Sequence, residues 1–317
     1  MINRTLIRTK VVQTLFAHYK TEEGTLLNAK KQLLCSFDDV YCLYMLLLDL
    51  VNEMVTLAEE RNEADEERAK ATHCHYESNL NFINNRLASQ IFNNRQLRSY
   101  LEEHHLGWDA AHESLKLLWK RITESEPYIS YMALESPKYE DDKYVWRKII
   151  TDVFADSKEL EDGLEELEVA LDHRNWTTDM NIVLSYIVKT IKRFTPTSGA
   201  DHRLLEMFES EEELDFAKQL LQNAIKNEEE YRSLIETHLK NWDISRVAYI
   251  DLIIMQTALS EITTFPEIPL QVSLNEYLEI AKEYSTEKSH SFINGVLDEV
   301  IRDLKQQNKL IKAVMLD

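Results

Sequence analysis

Glycine and proline are scarce in this chain, with five of each in 317 residues, whereas average usage is about 7% and 5%. Tight turns and hairpins draw heavily on both residues. With so few places to reverse a strand, the chain predicts an all-α fold. Its 44% of apolar residues is enough to fill one large core or two ordinary ones.

Helical periodicity runs along most of the length. From Asn3 to Tyr19, the residues Leu6, Ile7, Val11, Leu15 and Phe16 fall on one stripe, with Arg4 and Arg8 one turn apart beside it. A second run covers Thr25 to Glu60, and the charged "AEERNEADEERAKAT" that follows reads as a solvated extension of it. Further helical patterns cover Asn79 to Glu126, Tyr144 to Val169 and Trp176 to Phe194. The stretch "TPTSGAD", Thr195 to Asp201, is the clearest linker and a candidate domain boundary. Beyond it, Glu211 to Leu239 is helical. The segment after "NWDISR" is apolar on nearly every side, which marks a central buried helix with Asp243 as its N-cap. Ser273 and Glu276 have capping-box spacing, with Val272 and Tyr277 at staple positions. "LDHRNW" and "THLKNW" each join an acidic helix to an apolar one, an echo that chance explains at least as well as duplication.

Charge bounds the partners. With 36 basic and 56 acidic residues the net charge is −20 at pH 7, which repels polyanions at long range. Phosphate contacts depend on local patches rather than on the sum. Met1 to Lys20 holds Arg4, Arg8, Lys10 and Lys20 and no acidic residue. The three cysteines show no framework spacing and nothing resembles a secretory signal, so a cytoplasmic location is expected. The longest apolar run, "YMLLLDLV", is interrupted by Asp49 and falls short of the roughly 20 residues a bilayer requires. No membrane segment is expected.

Enzymatic and metal chemistry find no foothold. His73, Cys74 and His75 are consecutive, so on a helix they point apart and cannot share a tetrahedral metal; His104 and His105 fail likewise. The glycines are isolated, and neither a nucleophile elbow nor a zinc-binding HExxH occurs. Asp251 and Glu261 stand ten residues apart on the apolar helix, too far to act as an acid–base pair. The plainer role for Asp251 is a partly buried group paired with Arg246 or with a partner protein.

The stretch "SHSFINGVLDEV", Ser289 to Val300, carries Gly295 inside a helical pattern, at a cost of about 1 kcal/mol relative to alanine. Phe292, Ile293, Val296, Leu297, Val300, Ile301 and Leu304 give one apolar face, while Ser291, Asn294 and Asp298 line the other. The missing Cβ predicts the close approach of another backbone, either RNA or the helix beneath, and physics alone favours the helix. Lys288 and the free N–H groups at Ser289 make the helix start an anion-site candidate.

These motifs resemble a known family. "RTLIRTKVVQTLF" at the start, "NWDISRVAYIDLIIMQTALSEI", the entry formed by Pro269, Val272, Leu274, Asn275 and Glu276, and the run Ser289 to Asp298 together resemble the NusB family of transcription antitermination factors. The resemblance implies an all-helical protein of two packed helical subdomains, enlarged here by extra helices, with no cofactor and no enzymatic activity. It implies binding to the boxA element of ribosomal RNA operon leader RNA, together with a small-subunit ribosomal protein acting as NusE, within an RNA polymerase antitermination complex. Arg4 and Arg8 match basic positions of the family's RNA-contacting segment, which here also holds Lys10. Lys288 and Phe292 match positions near the RNA surface, on the helix start that carries Ser289 and Asn294. Asp251 matches an acidic position facing the protein partner. Thr5 and Leu6 depart from the pattern, standing where relatives often carry further arginines.

The expected organisation is a first helix with a basic edge at 1–20, an atypical helical region at 21–200, a NusB-like C-terminal core at 201–312, and a tail at 313–317. Whether "SFDDVYCLYMLLLDLVNEM" or "ESEEELDFAKQLLQNAI" completes the N-terminal bundle stays open at this level. So does the choice between RNA-binding factor and helical protein-interaction module that keeps the fold without RNA. An accessory domain of a ribosomal RNA methyltransferase ranks lowest, because no methyl-donor domain with a glycine-rich loop is present. The RNA reading requires Arg4, Arg8 and Lys288 to share one uncovered face.

Overall fold

A computed structural model describes residues 1–21, 24–73, 79–171, 176–239 and 243–310. Cys74, His75, the Asn-Trp pairs of the internal echo (in part) and the tail at 313–317 lie outside the described residues. Fourteen α-helices carry the described fold: α1 (Arg4–Lys20), α2 (Leu26–Thr72), α3 (Arg86–Phe92), α4 (Arg95–Glu103), α5 (His112–Thr123), α6 (Glu126–Met132), α7 (Tyr139–Ile149), α8 (Lys158–Ala170), α9 (Trp176–Arg193), α10 (Glu211–Lys226), α11 (Glu228–His238), α12 (Tyr249–Thr264), α13 (Leu270–Tyr284) and α14 (Ser289–Gln306). The fold is all-α; among the described residues the extended pairing is one isolated bridge, Ile2 with Phe208.

The chain forms two compact units, one of Met1–Phe37 with Glu206–Asp317 and one of Asp38–Leu205. In the first unit α12 is the axis. Its residues Asp251 to Ile262 are all buried, as expected for a helix that is apolar around its circumference, and α1, α10, α11, α13 and α14 pack against it. Helix α10 lies against α1 and α12, whereas Asp38 onward belongs to the second unit. Asp243 caps a short 3-10 turn, Ile244–Arg246, rather than α12 itself, which begins at Tyr249. The expected capping box is not formed. Helix α13 starts at Leu270 behind Pro269, and Ser273 and Glu276 send their side chains to other partners described below.

In the second unit the body of α2 is the core. Tyr44 shares a hydroxyl contact of 2.8 Å with Thr190, the Trp108 indole donates to the carbonyl of Leu46, and the Trp176 indole donates to that of Asp39. Helix α2 contains an 18-residue window apolar enough, by length and composition, to cross a bilayer, contrary to the reading of its sequence. That window is 83% buried inside the protein, the environment of a core helix, and its Asp49 pairs with Arg98 at 3.0 Å. Past Ala58 the helix is mostly exposed and laced with one-turn ion pairs such as Arg61–Asp65, as a solvated extension should be. The segment 195–201 is a loop inside this unit, held to α3 and α4, and the passage to the first unit comes at Glu206.

Candidate nucleic-acid interface

Helix α1 opens on Asn3, whose side chain accepts from the Leu6 amide, and its apolar stripe seals Leu6, Ile7, Val11 and Leu15. That orientation decides what its cations do. Arg8 is only 3% exposed. Its Nε donates to Glu261 Oε2 at 2.7 Å, its Nη2 to Glu261 Oε1 at 2.9 Å and its Nη1 to Glu276 Oε2 at 3.1 Å. Ser273 and Tyr277 add hydroxyl donors to the same Glu261 carboxylate, at 2.6 and 3.0 Å. Burial works to lower the pKa of Arg8, but the hydrogen bonds and charge of Glu261 outweigh it and raise the value. Burial also pushes the Tyr277 hydroxyl well above its ordinary range. The fork geometry of a guanidinium suits such a two-pronged pairing, and it leaves Arg8 nothing to offer a phosphate.

The remaining sequence candidates divide similarly. Lys10 is buried. Arg4 is partly exposed, 3.6 Å from Glu213 and stacked 5.0 Å from the Phe216 ring. Ser289 is buried, donating to Asp251 Oδ2 at 2.9 Å, while Ser285 donates to Asp251 Oδ1 at 2.5 Å. Asp251 is therefore an internal brace for the 285–289 turn, rather than a partner of Arg246 or a surface for another protein. Phe292 and Asn294 are half-buried, and Asn294 donates to Asp298. Lys288 is exposed at the start of α14. The uncovered face expected of Arg4, Arg8 and Lys288 is thus not formed, because Arg8 is inside. Gly295 is corrected too: a Cβ there would meet no atom within 4 Å, so no helix beneath requires the glycine.

What the structure does place on the surface is a groove of about 480 Å³, lined by Val12, Gln13, Phe16 and Lys20 of α1, Tyr249 and Ile250 of α12, and Tyr284 of α13. The Phe16 and Tyr249 rings lie 5.7 Å apart, tilted by 56°. Lys20 Nζ stands 4.5 Å from the centroid of Phe16. Gln13 Nε2 donates to the Tyr284 hydroxyl at 3.1 Å, tying α1 to the end of α13, four residues before Lys288. Aromatic rings with a cation, here Lys20, against them are what single-stranded nucleic acid requires: π-faces for bases and positive charge for phosphates. Sequence reasoning counted Lys20 in the basic patch without naming it as a site residue, missed Gln13, Tyr249 and Tyr284, and placed Phe16 on the apolar stripe. Phe16 and Lys20 at i and i+4 were the available signal; the contributions of α12 and α13 are tertiary.

Comparison with known proteins agrees with the motifs. The NusB family model matches residues 181–302. The Transcription antitermination protein NusB of Salinibacter ruber is 43% identical over 99 residues, 31% of this chain and 62% of that protein. Its counterpart in Finegoldia magna is 40% identical over 90 residues, 28% of this chain and 66% of that protein. The NusB of Chloroherpeton thalassium is 37% identical over 99 residues, 31% of this chain and 47% of that protein. The chain thus spans about half to two thirds of the length of these relatives. No solved structure matches it. Residues 181–302 are thus a NusB-family segment of this chain, and the α10, α12 and α13 helices within it pack against α1.

Proposed function

We propose that the protein is a transcription antitermination factor that binds the boxA element of ribosomal RNA operon leader RNA, in company with a small-subunit ribosomal protein acting as NusE, and so joins an RNA polymerase antitermination complex. The observation that carries this reading is the aromatic groove of Phe16, Tyr249 and Tyr284 with Lys20 on its rim, in which α12 and α13 of the family-matched segment meet α1. Bases stack on the rings, and Lys20 and Lys288 meet phosphates. Arg4 adds to the field from α1; Arg8 and Lys10 act on the fold. Residues 1–37 hold six basic and two acidic side chains, which offsets the overall negative charge on this side of the sequence.

The test is binding of boxA RNA to the full chain across a salt series. Replacing Lys20 and Lys288 together by alanine should reduce the salt slope by about 1.4, from two lost contacts at about 0.7 each on a single strand. Replacing Phe16 by alanine should weaken binding at unchanged slope, since stacking involves no counterions. Unaltered affinity in both variants removes the groove from the reading. A second reading, a protein-interaction module without RNA, draws support from the burial of Arg8 and Lys10. It expects capture of the ribosomal partner with no gain on adding RNA, which gel shifts with and without that partner distinguish.

A further inference from the structure

The second unit is more acidic than the first, with 32 acidic and 19 basic residues over 38–205, yet two of its stretches contain no acid at all. Residues 79–101 carry Arg86, Arg95 and Arg98, and residues 180–200 carry Lys189, Lys192 and Arg193. They are distant in sequence and adjacent in the fold. Gln90 Nε2 donates to the carbonyls of Thr195 and Ser198, each at 3.0 Å. The Arg95 amide donates to Ala200 at 2.9 Å, and Asn94 Nδ2 to His202 at 2.8 Å. The Leu204 amide closes the set on Gln96 at 3.1 Å. The loop after α9 is thereby strapped across the junction of α3 and α4, and brings its cations with it.

Lys192, Arg193 and Arg203 are exposed and have no ion pair among the described residues. Arg95 is 75% exposed and shares its charge with the equally exposed Asp201 at 3.0 Å, while the acid that holds Arg86, Asp142, is buried at 2.6 Å. His202 packs 4.2 Å from the Phe194 ring, and burial together with the charge of Arg193 lowers its pKa. Beside the strap, at the end of α3, Phe92 is 57% exposed, with the Arg98 guanidinium 4.7 Å from its ring centroid. A large exposed ring costs solvation unless something covers it. An exposed ring beside a loop that carries the unpaired Lys192, Arg193 and Arg203 matches a base on its phosphate backbone better than the carboxylates of an acidic protein, which have no use for the ring.

We propose that this strap is a second contact for single-stranded RNA, in which Lys192, Arg193 and Arg203 meet phosphates and Phe92 stacks on a base. It goes beyond the groove described above, lies wholly within the second unit, and draws on residues 79–101, outside the family match.

The experiment uses the full chain and an unstructured single-stranded RNA of about 20 nucleotides, read by fluorescence anisotropy over a salt series. The triple variant K192A/R193A/R203A should bind about tenfold more weakly at low salt, with a slope reduced by about 2 for three lost contacts. F92A should lose about fivefold or more with its slope unchanged. Circular dichroism should overlay for all variants, because the four side chains are exposed. Wild-type affinity and slope in the triple variant would overturn the proposal. So would a triple variant that loses binding to vesicles containing anionic lipid, or to an acidic polypeptide, while RNA binding persists. Loss with the groove substitutions alone sinks this inference and spares the groove; loss with the strap substitutions alone does the reverse.

Discussion

Arg8 and Glu261 form a salt bridge closed to water, with Nε 2.7 Å from Oε2 and side chains 3% and 0% exposed. Removing one partner strands the other charge in the core, which is far costlier than the net value of the pair. Arg8→Ala should therefore lower stability by about 3–5 kcal/mol in urea unfolding. Arg8→Lys should recover part of this, since an ammonium satisfies the charge but not the fork. At a temperature where both variants remain folded, the salt slope of RNA binding should match wild type. A slope reduced as much as by a surface lysine would mean that Arg8 leaves its pocket to meet RNA.

Two glycines should respond oppositely to alanine. At Gly295 the new methyl finds open space on a helix, so the substitution should stabilise by about 0.5–1 kcal/mol. At Gly24 a Cβ would lie 2.8 Å from the His18 carbonyl oxygen and 2.7 Å from its Nδ1. The ring can turn away, but the backbone cannot. Gly24→Ala should lower Tm, and a calorimetric scan of both variants checks the pair. If Gly295→Ala stabilises the free protein yet weakens RNA binding, the visitor that needs the missing Cβ is the ligand.

Asp251 holds the turn that presents Lys288 through two serine hydroxyls, at 2.5 and 2.9 Å. Asp251→Ala deprives the buried Ser289 and the half-buried Ser285 of their acceptor and should cost about 1–3 kcal/mol. Local opening of the turn should follow. Hydrogen exchange at 285–289 should accelerate more than in the middle of α12, and uniform acceleration would show that the aspartate stabilises the unit without positioning the turn.

Periodicity exposed most of the fold. The stripe of α1, the fully apolar α12 and the face of α14 are local patterns, and each buries the residues its spacing assigns except Phe16 and Phe292, which are half-buried. The long patterns from Asn79 to Glu126 and from Tyr144 to Val169 each resolve into shorter helices, because Asn85, Asn94 and Ser157 cap new starts with side-chain acceptors. The site was less legible. Counting cations along α1 cannot tell Arg8 from Lys20, since the difference lies in Glu261, more than two hundred residues away. Ser273 and Glu276 have capping-box spacing, but tertiary partners claim both side chains. The strap of the second unit is invisible for the same reason: its two acid-free stretches meet only through hydrogen bonds between residues about a hundred positions apart.

Glu53 gives the second unit a pH dependence of its own. Burial, followed by the charges of Asp49 and Asp109, pushes its carboxyl from an ordinary 4.5 up to about 7; Arg98 opposes the shift and Glu60 adds to it. Burial also raises Asp49, against its hydrogen bond from Asn52 and the charge of Arg98. The sign follows from proton binding. Below pH 4.5 the folded and unfolded chains both hold the Glu53 proton. Between there and about pH 7 the unfolded chain releases it while the folded chain keeps it, so stability falls as pH rises and levels off beyond. Glu53→Gln cannot ionise, and its curve should lose this part of the slope, leaving that of Asp49. The variant should be the more stable protein at pH 8, although partial exposure of Glu53 limits the gain. Urea unfolding followed by tryptophan fluorescence is weighted toward this unit, because four of the five tryptophans, Trp108, Trp119, Trp146 and Trp176, belong to it. Parallel curves for wild type and variant from pH 5 to pH 8 would mean that Glu53 ionises in the fold as it does in water, so that its partial burial and the neighbouring acids leave its carboxyl unshifted.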